Sequence, residues 1–257
     1  MAMRLDKYLA LSGEHSRSDA LHAVRGGLVR VNGEVAKRVD QPVSEDDEVL
    51  WAGERVVSST YQYYILHKPE GVLTAARDRH AQTVMDLLPQ ALLKRNVLPV
   101  GRLDKDTTGL LLLTNDGALA HRLLSPKHHV WKQYLATVAG ELDKKDVLAF
   151  SKGMTLSDFS AKPAVLRILS AGAEQSQAQV ELREGKFHQV KRMFAALGHE
   201  VLTLHRTAFG TLTLPSELAV GDYRALSKEE IAALKACAME QKPSADSEAG
   251  EEGQDDA

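Results

Sequence analysis

The 257-residue chain has one cysteine, no long apolar run and only 5% aromatic residues. A single cysteine, Cys237, excludes an intramolecular disulfide and a zinc site built from clustered cysteines, so we expect a reducing compartment. No window approaches the roughly 18 apolar residues of a membrane-spanning helix, and the first thirteen residues lack the apolar stretch of a signal peptide. We therefore expect a cytoplasmic protein without a membrane partner.

The chain also lacks a surplus of positive charge. Its 32 Lys and Arg residues are outnumbered by 35 Asp and Glu residues, which gives a formal net charge of −3. Nucleic-acid-binding proteins usually carry a basic surplus, so the total argues against that class. However, residues 235–257 carry a charge of −5, which leaves +2 for the rest. Residues 240–257 have no large apolar side chain and are predicted to form a disordered acidic tail, most simply a solubilising one.

Residues 1–59 are predicted to form a small module of two helices and a small sheet. Apolar spacing predicts helices around residues 5–9 and 20–24, and Asn32-Gly33 predicts a hairpin turn before a further strand at 49–51. Basic side chains recur through this module and suit contacts to RNA phosphates, namely Arg4, Lys7, Arg17, Arg25 and Arg30. The alternative interpretation is an ordinary solvated charged face.

Residues 61–234 are predicted to form a larger α+β domain with a mainly antiparallel sheet. Strands are predicted at 63–66, 110–113, 134–138, 165–169, 178–182 and 201–204, and helices at 84–88, 118–124, 144–151, 188–197 and 228–235. Strands and helices alternate too irregularly for a doubly wound fold. The ten histidines have no metal-ligand spacing and the chain has no phosphate-binding glycine loop, so we assign neither a metal nor a cofactor.

The densest polar block, GRLDKDTTGL at residues 101–110, joins two apolar runs. It offers two carboxylates, two cations and two hydroxyls in one loop, which is a plausible setting for a site, although a lone loop aspartate is more often a turn former. This block resembles the signature of RNA pseudouridine synthases of the Rsu/Rlu group. Three further blocks agree in order and spacing: HKPEG at 67–71, KQY at 132–134 and EGKFHQVKRM at 184–193.

Two other resemblances extend this interpretation. The blocks MRLDKYLA (3–10), SRSDA (16–20) and GLVRVNG (27–33) resemble the S4-type RNA-binding domain. The blocks SPKHHVWKQY (125–134) and LHR (204–206) are most similar to the small-subunit branch, which acts on 16S ribosomal RNA at the uridine usually numbered 516.

The resemblance implies the roles of seven residues. Asp104 is the catalytic carboxylate, Lys191 its cationic partner where other members often have Arg, and Tyr134 the aromatic surface that holds the detached base and a candidate to remove its C5 proton. The substrate-binding positions are Arg102, which holds the flipped-out nucleotide, Leu204 as pocket wall, and Lys68 and Pro69 as pocket floor. From the residues alone, Arg102 paired with Asp106 and a purely structural Leu204 remain alternatives. Arg192 is expected to point about 100° away from Lys191 on the same helix.

The expected partner is ribosomal RNA or a small-subunit precursor, bound by a monomer. Two alternatives remain: the same reaction on a 23S ribosomal RNA uridine, and a non-catalytic ribosome-assembly protein. The sequence does not separate a covalent Asp104 adduct from proton removal at the ribose to give a glycal, because both use the same carboxylate.

Overall fold

The computed structural model describes residues 3–11, 15–44, 47–56, 61–125, 128 and 130–239. The predicted acidic tail at 240–257 and residues 57–60, at the boundary of the two predicted domains, lie outside the described residues. Within the described ranges, every helix is too short or too polar to cross a membrane. The same ranges contain no group of three or more His, Cys, Asp or Glu side chains that could hold a metal ion.

The N-terminal module has two helices and six short strands around its own core. The helices are α1 (Leu5–Leu11) and α2 (Arg17–Arg25), and the strands are β1 (Met3–Arg4), β2 (Val29–Val31), β3 (Glu34–Val35), β4 (Pro42–Val43), β5 (Val49–Trp51) and β6 (Glu54–Arg55). Ser16 begins α2 with a capping box that includes Asp19. Asn32 and Gly33 both have positive φ, which confirms the predicted hairpin turn.

A nine-stranded sheet organises the larger part of the chain. Its strands are β7 (Tyr63–Lys68), β8 (Leu98–Pro99), β9 (Thr107–Thr114), β10 (Lys132–Ala139), β13 (Val165–Ser170), β14 (Gln175–Leu182), β15 (Val201–Phe209), β16 (Leu212–Thr213) and β17 (Tyr223–Ala225). The central order is β13-β14-β10-β15-β9-β7-β17, with β8 on β9 and β16 on β15. All pairings are antiparallel except that of β9 with β15, so the α+β prediction is confirmed.

Helices cover both faces of this sheet. They are α3 (Gln90–Lys94), α4 (Gly117–Leu124), α5 (Lys144–Lys152), α6 (Gln189–Ala196) and α7 (Lys228–Cys237), and a small hairpin forms from β11 (Met154–Thr155) and β12 (Ser160–Ala161). The leucine run in β9 alternates between the faces: Leu111 and Leu113 join the core under α5 and α6, whereas Leu110 and Leu112 join the core with α4 and α7. Burial on both faces explains why four consecutive leucines are accommodated.

The helices of the structure differ from the prediction at two places. The segment predicted as a helix at 84–88 is a single 3₁₀ turn, Val84–Leu87, and Pro89 precedes a separate short helix, α3, that was not predicted. A proline fixes the backbone of the residue before it in an extended conformation, which ends the first turn at Leu88. Ser227 begins α7 with the predicted capping box to Glu230.

The parallel seam between β9 and β15 depends on Gly109. Its φ is +103°, and a Cβ at this position would lie 2.3 Å from the carbonyl oxygen of Arg206. Only glycine combines this backbone conformation with so close an approach of two strands. The seam places the loop before β9 beside the side chains of β15.

Candidate active site

The side chains of Thr74 and Lys68 fix the loop 101–106, which joins β8 to β9. The Thr74 hydroxyl donates to the Leu103 carbonyl (2.8 Å) and accepts from its N–H (3.2 Å). The Lys68 ammonium, with 0% exposure, donates to the carbonyls of Pro69, Lys105 and Thr107 at 3.0, 3.2 and 2.9 Å. Burial lowers the pKa of Lys68 to about 8, an effect partly offset by Asp106 and Asp104. Lys68, which is predicted at the pocket floor, therefore uses its side chain to hold the backbone of the loop.

Asp104 is the carboxylate that this loop presents, and α6 supplies its neighbours. The Lys191 ammonium lies 3.8 Å from Asp104 Oδ2, and His188 Nε2 lies 3.5 Å from Asp104 Oδ1. Lys191 also binds Asp106 Oδ1 at 2.5 Å, and this bond holds the pKa of Asp106 below its usual range. The structure thus brings Asp104 and Lys191 together, with Asp106 as the nearer partner of the lysine.

Arg192 takes a different direction from Lys191, as the helical spacing predicts. Its guanidinium pairs with Asp158 and lies 4.8 Å from the centre of the Phe159 ring. It therefore ties α6 to the β11–β12 hairpin rather than to Asp104.

A small cavity opens above Asp104 and collects most of the predicted site residues. It measures about 70 Å³, and its lining includes Arg102, Tyr134 and Leu204. Tyr134 and Leu204 lie on adjacent strands, β10 and β15, and are both buried. The exposed Arg102 is at the rim, beside the carboxylate, while Pro69 lies half-buried next to Lys68. An aromatic ring and an aliphatic wall beside a carboxylate suit a flat heterocyclic base.

Two residues near Asp104, His188 and Thr107, were given no role from the sequence, and Asp106 was named only as an alternative partner of Arg102, whereas it pairs with Lys191. His188 begins α6 in a left-handed conformation (φ +51°), stacked on Phe187, and this brings its ring to Asp104. The buried Thr107 hydroxyl lines the cavity and makes no hydrogen bond within the described part of the chain. His188 lay in a quoted block, but helical spacing gave no signal for it, because only the left-handed backbone before α6 brings its ring to Asp104.

The predicted RNA-binding residues of the N-terminal module are all at least partly exposed. Arg4 is engaged by Asp6 through two bonds of 3.0 Å, and Arg30 donates to the Gly33 carbonyl at 2.9 Å. Lys7 lies over the Tyr61 ring at 5.9 Å. Arg17 and Arg25 occupy the first and last positions of α2 and are exposed.

Comparison with known proteins places these features in a family. Residues 62–196 match the family model of RNA pseudouridylate synthases, and residues 3–49 match that of the S4 domain. The chain is 42% identical to an uncharacterised RNA pseudouridine synthase of Bacillus subtilis, with 89% of this chain and 97% of that protein covered.

Proteins named ribosomal small subunit pseudouridine synthase A are similar over nearly their whole length. The one from Pasteurella multocida is 42% identical over 90% of this chain and 98% of its own, and the one from Escherichia coli is 37% identical over 90% and 100%. A crystal structure of a pseudouridylate synthase matches with a TM-score of 0.64 and 38% identity, covering 90% of this chain and 99% of that one.

Proposed function

The chain belongs to the family of RNA pseudouridine synthases, and we propose that it converts uridine 516 of 16S ribosomal RNA to pseudouridine, with Asp104 as the catalytic carboxylate. The choice of RNA is supported by the relatives named as small-subunit synthases, which this chain matches from end to end. It would act on ribosomal RNA or an assembling small subunit, in the cytoplasm, as a monomer. We also propose residues 1–59 as the RNA-binding domain and 61–234 as the catalytic domain.

One observation supports the assignment of Asp104 above all others. It is a carboxylate on a rigid loop, at a cavity lined by Tyr134 and Leu204, with the Lys191 ammonium 3.8 Å away. The Lys191 ammonium gives this carboxylate a charged partner within the site. An ionised carboxylate can act on a ribose as nucleophile or as base.

The isomerisation breaks the bond between uracil N1 and ribose C1′ and forms a bond between uracil C5 and the same C1′. The C5 proton leaves and N1 gains a proton, so the product is an isomer of the substrate. The target nucleotide must leave its stack to reach Asp104, and Arg102, which lines the cavity, would hold it there. Tyr134 would support the ring of the detached base and remove the C5 proton. Leu204 would close the opposite wall.

Two routes use the Asp104 carboxylate. It either attacks C1′ and forms an ester that the turned uracil displaces, or it takes the C2′ proton to give a glycal that is reprotonated on return. Uridine deuterated at C2′ separates the routes, since only proton removal at C2′ gives a primary isotope effect. A normal rate with the deuterated substrate would support the covalent route.

The role of Asp104 is tested with Asp104→Asn, which preserves size and removes the charge. We expect no pseudouridine formation in a tritium-release assay, while RNA affinity stays within a few-fold of wild type. Asp158→Asn is a matched control, because Asp158 is a carboxylate paired with Arg192 outside the cavity. Turnover by Asp104→Asn at the wild-type rate would refute the assignment.

The target is tested by mapping pseudouridines in ribosomal RNA with and without the gene. We expect loss of the modification at position 516 of 16S RNA and its return with the wild-type gene, but not with Asp104→Asn. An unmodified 23S position together with a normal 16S position would overturn the proposed target while leaving the activity intact.

A further inference from the structure

A second cavity, larger and strongly basic, adjoins the one above Asp104. It measures about 300 Å³ and shares Arg102, Tyr134, Gly185 and Lys186 with its smaller neighbour. The cationic side chains that line it are Arg102, Lys132, Lys162, Arg183, Lys186 and Arg206, against a single acid, Glu184. Glu184 is already bound by the side chain of Gln189 and the backbone N–H of Lys162. The lining therefore carries an excess of five positive charges.

Two of these cations are buried without a carboxylate partner. Arg206 is 2% exposed, and its guanidinium donates through Nε to the Leu110 carbonyl at 2.8 Å. Its Nη2 makes no hydrogen bond to any described residue. Lys132 is 8% exposed and donates to the Val130 carbonyl at 3.0 Å. Neither is among the salt bridges of the described chain.

The fold brings these two cations together on the cavity wall. Lys132 begins β10, Arg206 lies opposite Tyr134 on β15, and both cations lie within 5.5 Å of the centre of the Phe209 ring. Burial first, and then the charge of Arg206, lowers the pKa of Lys132 to about 8, although the charge of Glu184, which makes no salt bridge with it in the described chain, partly offsets this. Arg183 adds a further buried donor, since its Nε is also unpartnered among the described residues while its guanidinium stacks on Trp131.

Buried cations without anions are costly, and a site that retains several of them normally takes up an anion when it functions. We propose that this cavity binds the phosphodiester of the RNA nucleotide that adjoins the target uridine. The inference rests on the proposed function, because the ligand is part of the same RNA substrate. Arg206 Nη2 and the Lys132 ammonium would donate to the phosphate oxygens, with Arg183 and Lys186 at the periphery.

The position and the positive charge of the cavity favour an RNA phosphate over a second base. A phosphate flanking the target lies one nucleotide from the uracil, which matches two cavities that share Arg102 and Tyr134. Charged donors to phosphate form stronger hydrogen bonds than neutral ones, and such contacts fix the register of an RNA. A phosphate held here would place the ribose of the target over Asp104.

The test removes one charge from the RNA and one from the protein, first separately and then together. In the Asp104→Asn background, which binds without turnover, RNA fragments carry one neutral methylphosphonate at successive positions around the target. We expect one position adjoining the target to weaken binding by about tenfold or more. Combined with Lys132→Met, the same substitution should weaken binding clearly less than it does with Lys132 present, because Arg206 remains as the other donor. Lys132→Met should also lower the slope of log Kd against log salt by about 0.7 to 0.9.

Two further variants keep the result interpretable. Lys152→Met removes an exposed lysine from the last turn of α5, outside the cavity, and should preserve both the methylphosphonate effect and the salt slope. Lys186→Met removes a cavity cation from an exposed position, so it tests the charge even where Lys132→Met lowers stability.

Two outcomes would overturn the proposal. One is a methylphosphonate scan without a sensitive position; if inorganic phosphate then stabilises the protein thermally and Lys132→Met abolishes that effect, the cavity binds a free anion. The other is a sensitive position that persists unchanged in both Lys132→Met and Lys186→Met. The scan uses whichever RNA the wild-type enzyme converts, so a wrong 16S assignment would show separately in the pseudouridine map.

Discussion

Gly109→Ala should destabilise the protein more than the same substitution at a glycine that has positive φ but open surroundings. The new Cβ would lie 2.3 Å from the Arg206 carbonyl oxygen and 2.7 Å from the Arg206 nitrogen. Both atoms belong to the backbone, so no side chain can rotate to make room, and β9 must separate from β15. An alanine at φ +103° adds conformational strain of about 1–2 kcal/mol, and overpacking adds about 1–3 kcal/mol.

These contributions total about 2–5 kcal/mol, which corresponds to a fall in Tm of about 5–15 °C for a protein of this size. The measurement is thermal unfolding followed by circular dichroism. Gly221→Ala is the control for backbone strain, because Gly221 has φ +89° but no atom within 4 Å of the methyl carbon that alanine would add. Gly117→Ala is the control for an added methyl alone, since Gly117 begins α4 and is also open; it should raise Tm slightly.

The difference in Tm between Gly109→Ala and Gly221→Ala isolates the steric cost of adding a methyl group where β9 and β15 approach each other. A Gly109→Ala protein that melts no lower than Gly221→Ala would refute the reasoning, because it would show that the two strands part without cost. Activity measured well below Tm gives a second readout. Opening the seam moves Leu204 away from the loop that carries Asp104, so kcat should fall even where the variant is folded.

Further predictions concern charge. Lys191→Met should lower kcat by about 100-fold or more, because it removes the cation beside Asp104. Asp106→Asn should lower kcat far less. Similar losses of kcat in both variants would contradict the pairing of Lys191 with Asp104. Lys132 has a folded-state pKa of about 8 against 10.5 as its ordinary value, so its burial cost is full below pH 8 and is relieved as pH rises towards 10.5. From pH 7.5 to 9.5, the unfolding free energy of wild type minus that of Lys132→Met, measured by denaturant titration, should therefore increase by about 2 kcal/mol. A difference that stays constant with pH would exclude a buried ammonium. The double variant Arg17→Gln, Arg25→Gln should weaken RNA binding and flatten its salt dependence with kcat unchanged; an unaltered salt slope would exclude α2 from the RNA interface.

Local signals in the sequence were sufficient for most elements. The capping box at Ser227, the Asn32-Gly33 turn and the leucine run of β9 each depend on neighbouring residues, and each was predicted correctly. Short elements were harder, since α3 has five residues and little apolar periodicity. The family resemblance supplied Asp104 and Lys191, which the structure brings within 3.8 Å.

Pairings between distant segments were not predictable from local pattern. Lys132 on β10 and Arg206 on β15 are distant in sequence, so nothing near either residue indicates that both line one cavity. Asp106 was considered as a partner of Arg102, but α6 delivers Lys191 to it instead. Such contacts follow from register and helix placement, which only the assembled sheet determines.

The seam also has a consequence for how the enzyme becomes active during synthesis. Thr108 and His205, whose side chains bond across it, are 97 residues apart. Closing a loop of that length costs about 4 kcal/mol of chain entropy, and it cannot begin until the ribosome has released β15. The loop with Asp104 therefore emerges long before the wall that contains Leu204, and a nascent chain ending before residue 201 lacks Leu204 of the smaller cavity and Arg206 and Phe209 of the larger one. Catalytic competence should arise in one late step, which leaves unfinished chains unable to act on the RNA of the ribosomes that make them.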